Sequence, residues 1–396
     1  MVSKAFTDKL VGNIGALLLD DKVAIVGIGY SGFSPATPSQ SYKELIFDAA
    51  SRAYAECSVN PRKDVESFVC CEEDLWEGTS ITDEYAPDQL GAAQRNICTV
   101  SQDGLNGVAT AYMHIKSGVA SIAVVESHSK LSNVLSQSQV REFALEPYYE
   151  RPILSDGIPV AAMQMRRFMH DYKVTEEDIA QVVSKNKKNG LFNQRSSYAA
   201  DVSVEQAMRS PFVWNPLRRI QMAPPADGCV VAVLASAEKA RSMTEQPVWI
   251  KGIGWNSAST SAESAISSDA LYAKEAAKMA YKIAGVNSPK SYFDFAEVDD
   301  TYAFKELQHA EALGIADMDV SKGNMPAVAP VPINMSGGSL SLGDLVEATG
   351  LVRLLEAVQR LRNAERKRSK GSKRALVQSW RGIPSSSGAV AVLGVE

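Results

Sequence analysis

Residues Val23-Ala-Ile-Val-Gly-Ile-Gly29 and Val248-Trp-Ile-Lys-Gly-Ile-Gly254 are two copies of one passage, 225 positions apart. Further matches follow in the same order along both copies: Ala49–Tyr54 with Ala276–Tyr281, Cys71-Glu72-Glu73 with Val298-Asp299-Asp300, and Cys229–Leu234 with Ala389–Leu393. A repeat of this length indicates a duplicated fold. The chain is therefore expected to contain two similar halves.

The order of apolar patterns predicts an α/β fold. Six β-branched runs predict buried strands: Val23–Ile28, Ser121–Val125, Cys229–Leu234, Val248–Ile253, Leu376–Gln378 and Ala389–Leu393. Helical periodicity marks five segments: Tyr42–Cys57, Leu105–Ser117, Leu271–Ala284, Ala303–Leu313 and Gly343–Arg362. Alternating strands and helices predict parallel, helix-covered sheets. The duplication predicts two such sheets, related by an approximate twofold axis.

Residues 127–220 interrupt this pattern, because they are rich in Gln, Arg, Tyr and Pro. We interpret 127–220 as an inserted loop domain that covers one end of the sheets. Thr175-Glu-Glu-Asp178 predicts a helix start within it, with a Thr cap and acidic residues in the first turn. The expected domains are 1–126, completed by 221–242, then the insertion, then 243–396.

Composition indicates an ordinary globular protein of the cytoplasm. A net charge of −5 and a pI near 5.6 argue against a nucleic-acid-binding surface. Five cysteines without metal-ligand spacing are typical of reduced thiols, and no metal is expected. The apolar stretch Leu10–Leu19, interrupted by Asn13, predicts a short helix rather than a signal peptide. No run is long enough to span a bilayer.

Two short motifs are interpreted as structural. Gly27-Ile-Gly-Tyr-Ser-Gly32 matches the dinucleotide fingerprint, but the two prolines that follow prevent a helix from opening on the glycines. Ser127-His-Ser-Lys130 has the Ser-x-x-Lys spacing of acyl-serine hydrolases without the companion motifs. We interpret it as a surface turn after a strand.

Three segments carry the candidate chemistry: Ser101–Gly107, which opens a helix; Glu297–Tyr302, at a strand exit; and Asn334–Asp344, which opens the long last helix. Helix N-termini and Gly-rich turns present amides to developing negative charge. Together they would form an oxyanion pocket. The alternative is that these glycine turns only join strands to helices.

At these segments the chain resembles the thiolase superfamily, in its sterol-carrier and nonspecific lipid-transfer branch. The residues that carry the resemblance are Asn334-Met-Ser-Gly-Gly338, Ala348-Thr-Gly350, Glu306-Leu307 and Ala312-Leu-Gly314, in addition to the duplication. The resemblance implies a thiolase fold of two βαβαβαββ halves, each with five strands, and a tight dimer. It also implies acyl-CoA ligands, hence acyltransferase or related lipid chemistry, with the coenzyme A thioester as substrate or ligand and no covalently bound cofactor.

The chain departs from the family at the catalytic positions. Ser101 falls where the family has its nucleophilic cysteine, and Asp299 and Asp344 fall where it has histidines. A serine hydroxyl needs a positioned base, whereas a cysteine thiolate is available near neutral pH. We therefore expect thiolysis and Claisen condensation to be absent or very slow.

Three functions remain open after these departures. The first is retro-aldol cleavage of a β-hydroxyacyl-CoA with an accessory OB-fold and zinc-ribbon protein. Asp299 or Asp344 would act as base and Tyr302 as donor, with enolate-binding amides near Gly337, Gly338 and Gly382. The second is a non-catalytic acyl-CoA-binding or scaffold subunit, and the third is an acyltransferase that uses Ser101.

Binding of the CoA phosphates has one weak candidate. Lys185-Asn-Lys-Lys188 lies in the insertion, and Lys185 and Lys188 would contact a phosphate. A solvated helix end explains the same residues equally well.

Overall fold

A computed structural model describes residues 22–396, except 77, 82–83, 144, 153, 155–156, 260–265, 317–329, 367–371 and 383–385. The helix predicted at Leu10–Leu19 lies outside the described residues. No helix within the described ranges combines the length and apolar character needed to cross a membrane.

The strands of the described residues are β1 (Val23–Ser34), β2 (Ser67–Cys71), β3 (Ile97–Val100), β4 (Ile122–Lys130), β5 (Phe212–Trp214), β6 (Leu217–Arg218), β7 (Asp227–Ser236), β8 (Val248–Ser257), β9 (Phe295–Glu297), β10 (Arg374–Gly382) and β11 (Ser386–Gly394). Nine of them form one mixed sheet in the order β3-β2-β4-β7-β1-β8-β11-β10-β9. All six strands predicted from the sequence are present, most of them longer than predicted.

The α-helices of the described residues are α1 (Tyr42–Cys57), α2 (Pro61–Asp64), α3 (Gly104–Lys116), α4 (Gln137–Phe143), α5 (Ile158–Tyr172), α6 (Glu176–Gly190), α7 (Val204–Met208), α8 (Ala237–Met243), α9 (Leu271–Ala284), α10 (Pro289–Tyr292), α11 (Ala303–Ala312), α12 (Gly338–Leu342) and α13 (Thr349–Arg366). Four of the five predicted helices agree within one residue. The fifth does not begin at Gly343, because the short α12 ends before it and α13 begins at Thr349.

The two halves of the sheet repeat one topology and meet at its centre. Strand β1 pairs antiparallel with β8 over only Val23–Ile25 and Val248–Ile250. Outward from this junction β7, β4 and β2 correspond to β11, β10 and β9. A bridge from Ala296 to Ile333 stands where β3 lies in the first half. The duplication therefore produces one continuous sheet rather than the two separate sheets that were predicted.

Helix–strand packing explains the repeated glycines. A Cβ at Gly29 would lie 2.1 Å from the carbonyl oxygen of Ala49 in α1, and one at Gly254 would lie 2.2 Å from that of Ala276 in α9. Only a glycine permits the helix backbone to approach the strand so closely. Gly27 and Gly29 lie inside β1, so no helix opens on them, as predicted.

The central core lies between the two halves and is filled by α3 and α13. Leu105, Val108 and Ile115 of α3 pack with Leu351, Leu355 and neighbouring residues of α13, and the inner faces of both halves close around them. Helices α1 and α9 cover the outer faces. Both central helices begin at the same end of the sheet, which brings their N-termini together.

The inserted segment contains α4 to α7 and the hairpin β5–β6. Thr175 caps α6 through a capping box with Asp178, as predicted. Strand β4 continues through Ser127-His-Ser-Lys130, whose side chains are all buried. The prediction of a surface turn at these residues is wrong, because β7 pairs with them up to the end of the strand and Asp227 binds the Lys130 ammonium at 2.7 Å.

Candidate active site

Two adjoining cavities open where strands of both halves end. The larger encloses about 280 Å³ and the smaller about 50 Å³. Residues that line both are Trp76, Arg141, Tyr302, Arg381 and Gly382. Asp344, Thr301 and Trp380 line the smaller cavity. No cysteine or histidine of the described residues lines either cavity.

Chain connections bring these residues together from distant parts of the sequence. Tyr302 follows β9 and caps α11, while Trp380, Arg381 and Gly382 end β10. Asp344 follows α12, and Arg141 reaches the cavity from α4 of the insertion. Residues of the inserted segment therefore form part of the cavity wall.

Tyr302 and Asp344 are the polar groups best placed to act on a ligand. Tyr302 is 9% exposed, and its ring meets that of Trp380 edge to face, with centroids 6.1 Å apart. Oδ1 of Asp344 accepts from the Val346 amide at 3.0 Å, and Oδ2 lies 3.7 Å from the Arg141 guanidinium. The Asp344 carboxylate is thus oriented but still accessible from the cavity.

Arg381 is held between two carboxylates. It pairs with Glu73, and its guanidinium lies 3.2 Å from Oε1 of Glu347. Burial opposes its charged form, but Glu347 and Glu73 outweigh this and raise the pKa of Arg381. Burial also disfavours the charged form of Glu73 and would by itself raise its pKa. The charge of Arg381 outweighs this effect and holds the pKa of Glu73 below its usual value. The cavity wall therefore carries fixed charges that nearly cancel.

Asp299 and Asp300 form a buried layer beneath the cavity. Oδ1 of Asp299 accepts from the Thr301 amide at 3.0 Å, and Oδ2 pairs with Arg353 at 3.0 Å. Burial raises the pKa of Asp299 although Arg353 opposes it. Burial also raises the pKa of Asp300, to about 7, although Asn186 and the Ser339 amide donate to its carboxylate. Neither side chain is exposed, so both support the site from behind.

Comparisons with known proteins agree with this architecture. A family model described as "Thiolase C-terminal domain-like" matches residues 254–395. The acetyl-CoA acetyltransferase of Methanothermobacter thermautotrophicus is 28% identical over 262 residues, which cover 65% of this chain and 68% of that relative. Sterol carrier protein 2 of Bos taurus is 25% identical over 384 residues, which cover 90% of this chain and 70% of the relative.

A solved structure extends the agreement to the whole fold. The "Ltp2-ChsH2(DUF35) aldolase" superposes with a TM-score of 0.77 at 24% identity, over 96% of this chain and 99% of that chain. The chain is similar to members of the thiolase superfamily over most of its length. Its α/β architecture is the thiolase fold, and the relatives confirm the resemblance to the sterol-carrier type.

Ser101, which was predicted to stand at the nucleophile position, does not reach the cavities. Ser101 is exposed before the first turn of α3 and lines neither of them. The cap of α3 is Asp103, which is fully buried and accepts from the Leu105 amide at 2.8 Å. The sequence analysis did not name Asp103. An acidic residue directly before an apolar helical segment is the pattern that could have identified it as the cap.

The thiolase glycine turn does not offer free amides either. The Gly337 amide donates to the Asn334 carbonyl at 3.0 Å, and the Gly338 amide donates to Oγ of Ser336 at 3.2 Å. Asp300 occupies the space where a Gly338 side chain would stand. Both amides thus already have acceptors within the turn, and their enolate-binding role stays a prediction. Gly382 does line both cavities.

Lys185 and Lys188, the two lysines predicted to contact a phosphate, lie in different environments. Nζ of Lys185 pairs with Oε1 of Glu306 at 2.9 Å and donates to the Ile333 carbonyl at 2.8 Å. The Lys185 side chain is 39% exposed, so its ammonium binds these buried acceptors from the edge of the protein. Lys188 is exposed on the same helix.

Proposed function

We propose that this thiolase-like protein binds an acyl-CoA thioester and cleaves a carbon–carbon bond of a β-hydroxyacyl-CoA by a retro-aldol reaction. The observation that carries the proposal is that Tyr302 and Asp344 share a cavity that no cysteine or histidine of the described residues lines. Retro-aldol cleavage needs a base and proton donors but no acyl-enzyme. The likeness to a structure named as an aldolase supports the same reaction class.

The reaction balances with two residues of the cavity. Asp344 takes the proton of the β-hydroxyl group, and the electron pair of the Cα–Cβ bond moves into the thioester as an enolate. The β-carbon leaves as an aldehyde or ketone. Tyr302 then gives a proton to Cα, which completes a shorter acyl-CoA, and solvent returns the proton from Asp344 to Tyr302.

Asp344 is a better base than Asp299 on geometric grounds. A base must come within hydrogen-bond reach of the proton that it removes. The Asp344 side chain is 13% exposed at the cavity, whereas that of Asp299 is fully buried and paired with Arg353. Asp299 instead fixes the turn at Thr301, and with it the start of α11 at Tyr302.

We also propose the assembly that such a reaction would use. The larger cavity would take part of the acyl chain, and Lys188 would lie near a CoA phosphate. The protein would work as a dimer in the cytoplasm with an OB-fold and zinc-ribbon partner. The name of the Ltp2-ChsH2(DUF35) neighbour, which joins two components, supports a complex.

The test is cleavage of a panel of β-hydroxyacyl-CoA thioesters, with and without a co-purifying partner. We expect Asp344→Asn and Tyr302→Phe each to lower kcat by about 100-fold to 10,000-fold, because each removes one acid–base group. Asp201→Asn and Tyr292→Phe are the matched controls, since both lie away from the cavities. They should cleave like the wild type.

Two outcomes would replace the proposal. Acyl-CoA binding without cleavage of any member of the panel would favour a binding or scaffold subunit. Activity that depended on Ser101 and survived Asp344→Asn would favour the serine-dependent acyltransferase.

A further inference from the structure

Two arginines of the described residues, Arg141 and Arg381, line both cavities, but they differ in how far they are engaged. Nε of Arg381 donates to Glu73 at 3.1 Å, and its Nη2 lies 3.2 Å from Oε1 of Glu347. The Arg141 guanidinium makes no hydrogen bond within the described part of the chain, and its ionic partner there, Asp344, lies 3.7 Å away. A guanidinium carries five N–H donors. Because its side chain is 30% exposed, Arg141 can therefore bind an oxygen that enters from a cavity.

The charged end of Arg141, and not only its stem, lies at the cavity wall. Its Cζ lies 5.8 Å from the centre of the Trp76 ring and its Nη2 lies beside Oδ2 of Asp344, and both of these residues line the smaller cavity. A cation over an indole face is attracted to it. Trp76 is itself fixed, because its Nε1 donates to Glu73 at 3.4 Å and Glu73 is paired with Arg381. The guanidinium is therefore positioned before a ligand arrives.

The proposed cleavage moves one negative charge between two oxygens that can both reach Arg141. Before the step the charge is on the Asp344 carboxylate, and afterwards it is on the thioester oxygen. The hydroxyl oxygen and the thioester oxygen of the substrate are bonded to the two carbons that flank Cα, so both can face one group in a folded conformer. A contact that is loose before the step and short in the transition state lowers the barrier. At 3.7 Å the contact of Arg141 with Asp344 is longer than a charge-assisted hydrogen bond, so it is loose in this sense.

We propose that the Arg141 guanidinium donates to the thioester oxygen of the bound acyl-CoA and stabilises the enolate as a catalytic residue. The inference rests on the proposed function and assigns a donor to its enolate. Positioned donors and cations aimed at developing charge are usually the largest single contribution to catalysis. Arg141 keeps its protons throughout. Asp344 takes the hydroxyl proton, and the electron pair of the Cα–Cβ bond becomes the charge on the thioester oxygen.

The first experiment removes the guanidinium and then returns it in solution. We expect Arg141→Met to lower kcat for β-hydroxyacyl-CoA cleavage on the order of 100-fold, the effect of losing one oxyanion donor. Arg141→Lys should lose less, because it keeps the charge but not the planar fork. Arg141→Ala should regain part of its activity when ethylguanidinium is added, which a purely structural role would not allow. The matched controls are Arg167→Met and Arg167→Ala, because Arg167 is exposed on α5 and lines neither cavity.

A binding experiment tests the same contact without turnover. The probe is an analogue of acetyl-CoA in which a methylene group replaces sulfur and a carboxylate replaces the acetyl group, so that it carries the charge of the enolate. Its primary amide is the neutral probe of the same shape. Asp344→Asn imitates the protonated base that accompanies the enolate. We expect this variant to bind the carboxylate about tenfold more tightly than the amide, the effect of one charged hydrogen bond.

The same calorimetric measurement on double variants assigns that preference to one residue. The preference for the carboxylate should disappear when Arg141→Met is added to Asp344→Asn. It should persist when Arg167→Met is added instead.

The outcomes separate the two proposals. A carboxylate preference that depends on Arg141, without cleavage of any substrate, would support the donor role and overturn the retro-aldol reaction. Cleavage at the wild-type rate by Arg141→Met would overturn the donor role and leave the reaction standing. Equal binding of the carboxylate and the amide by Asp344→Asn would also overturn the donor role. A wild type that bound neither analogue nor any acyl-CoA would overturn both proposals.

Discussion

Asp103 joins the N-termini of the two central helices. Its carboxylate accepts from the Leu105 amide of α3 at 2.8 Å and from the Gly350 amide of α13 at 2.8 Å. Burial nevertheless raises the pKa of Asp103 to about 6, because a fully enclosed carboxylate loses the hydration that stabilises its charge. The bond between the helices therefore depends on pH.

We expect Asp103→Asn to change how stability depends on pH. The folded protein holds the Asp103 proton up to about pH 6, whereas the unfolded chain releases it near pH 4. Stability of the wild type therefore falls as pH rises through this window, by about 2 kcal/mol between pH 4.5 and 7.5. Asp103→Asn lacks this pH-dependent contribution. The unfolding free energy of the variant, relative to that of the wild type, should therefore rise by about 2 kcal/mol between pH 4.5 and 7.5.

Urea unfolding of both proteins at the two pH values measures the difference. A constant cost from the altered hydrogen bonds cancels in this comparison. A difference that is independent of pH would contradict the raised pKa of Asp103.

Among the individual residues of the candidate site, only some were predicted from the sequence. Tyr302, Asp344 and Gly382 line the cavities, but Trp380, Arg381 and Arg141 were missed because no local pattern links them. The repeat did contain one usable signal, since it equates Glu73 with Asp300. Both lie next to the cavity region, and Glu73 holds Arg381 there. Hydrogen bonds such as those of the Gly337 and Gly338 amides could not be predicted, because they depend on the folded turn.

At the scale of elements, apolar runs predicted strand and helix cores better than their ends. The last helix shows why. Gly343 has φ 113° and Val346 has φ 48°, both outside the helical region, although the apolar spacing continues through them. The turn that these residues form carries Asp344 into the cavity. The wrongly predicted helix start therefore coincides with Asp344, a residue of the candidate site.

The close helix–strand contacts predict unequal costs for two glycine substitutions. Gly254→Ala places a methyl group against the Ala276 carbonyl of α9, whereas Gly118 has nothing within 4 Å of its Cβ position and only its φ of 76° is unfavourable. We expect Gly118→Ala to cost about 1–2 kcal/mol. Gly254→Ala should cost about 3 kcal/mol or more, because the helix must shift.

Thermal unfolding followed by circular dichroism compares the two variants with the wild type. Equal decreases in Tm would mean that α9 can move away from β8 at little energetic cost, contrary to this prediction.

At the scale of the whole molecule, the thiolase fold is combined with Ser101, Asp299 and Asp344 at the positions that were predicted to be catalytic. We expect acetoacetyl-CoA and free CoA to react with a turnover well below about 1 per second, the lower end of typical enzymes. Ser101→Cys should not restore thiolysis, because residue 101 lies outside both cavities. Absorbance of acetoacetyl-CoA follows the reaction, and rapid thiolysis by the wild type would refute this expectation.

Strand β1 has a consequence for the order of synthesis. Its main partner, β7, begins at Asp227, and its other partner, β8, begins at Val248. At about 5–20 residues per second, a ribosome needs roughly 10–40 s to extend the chain from the end of β1 to the start of β7. Throughout that interval β1 has no neighbouring strand from its own chain. We therefore expect the nascent chain to benefit from chaperone protection until β7 emerges.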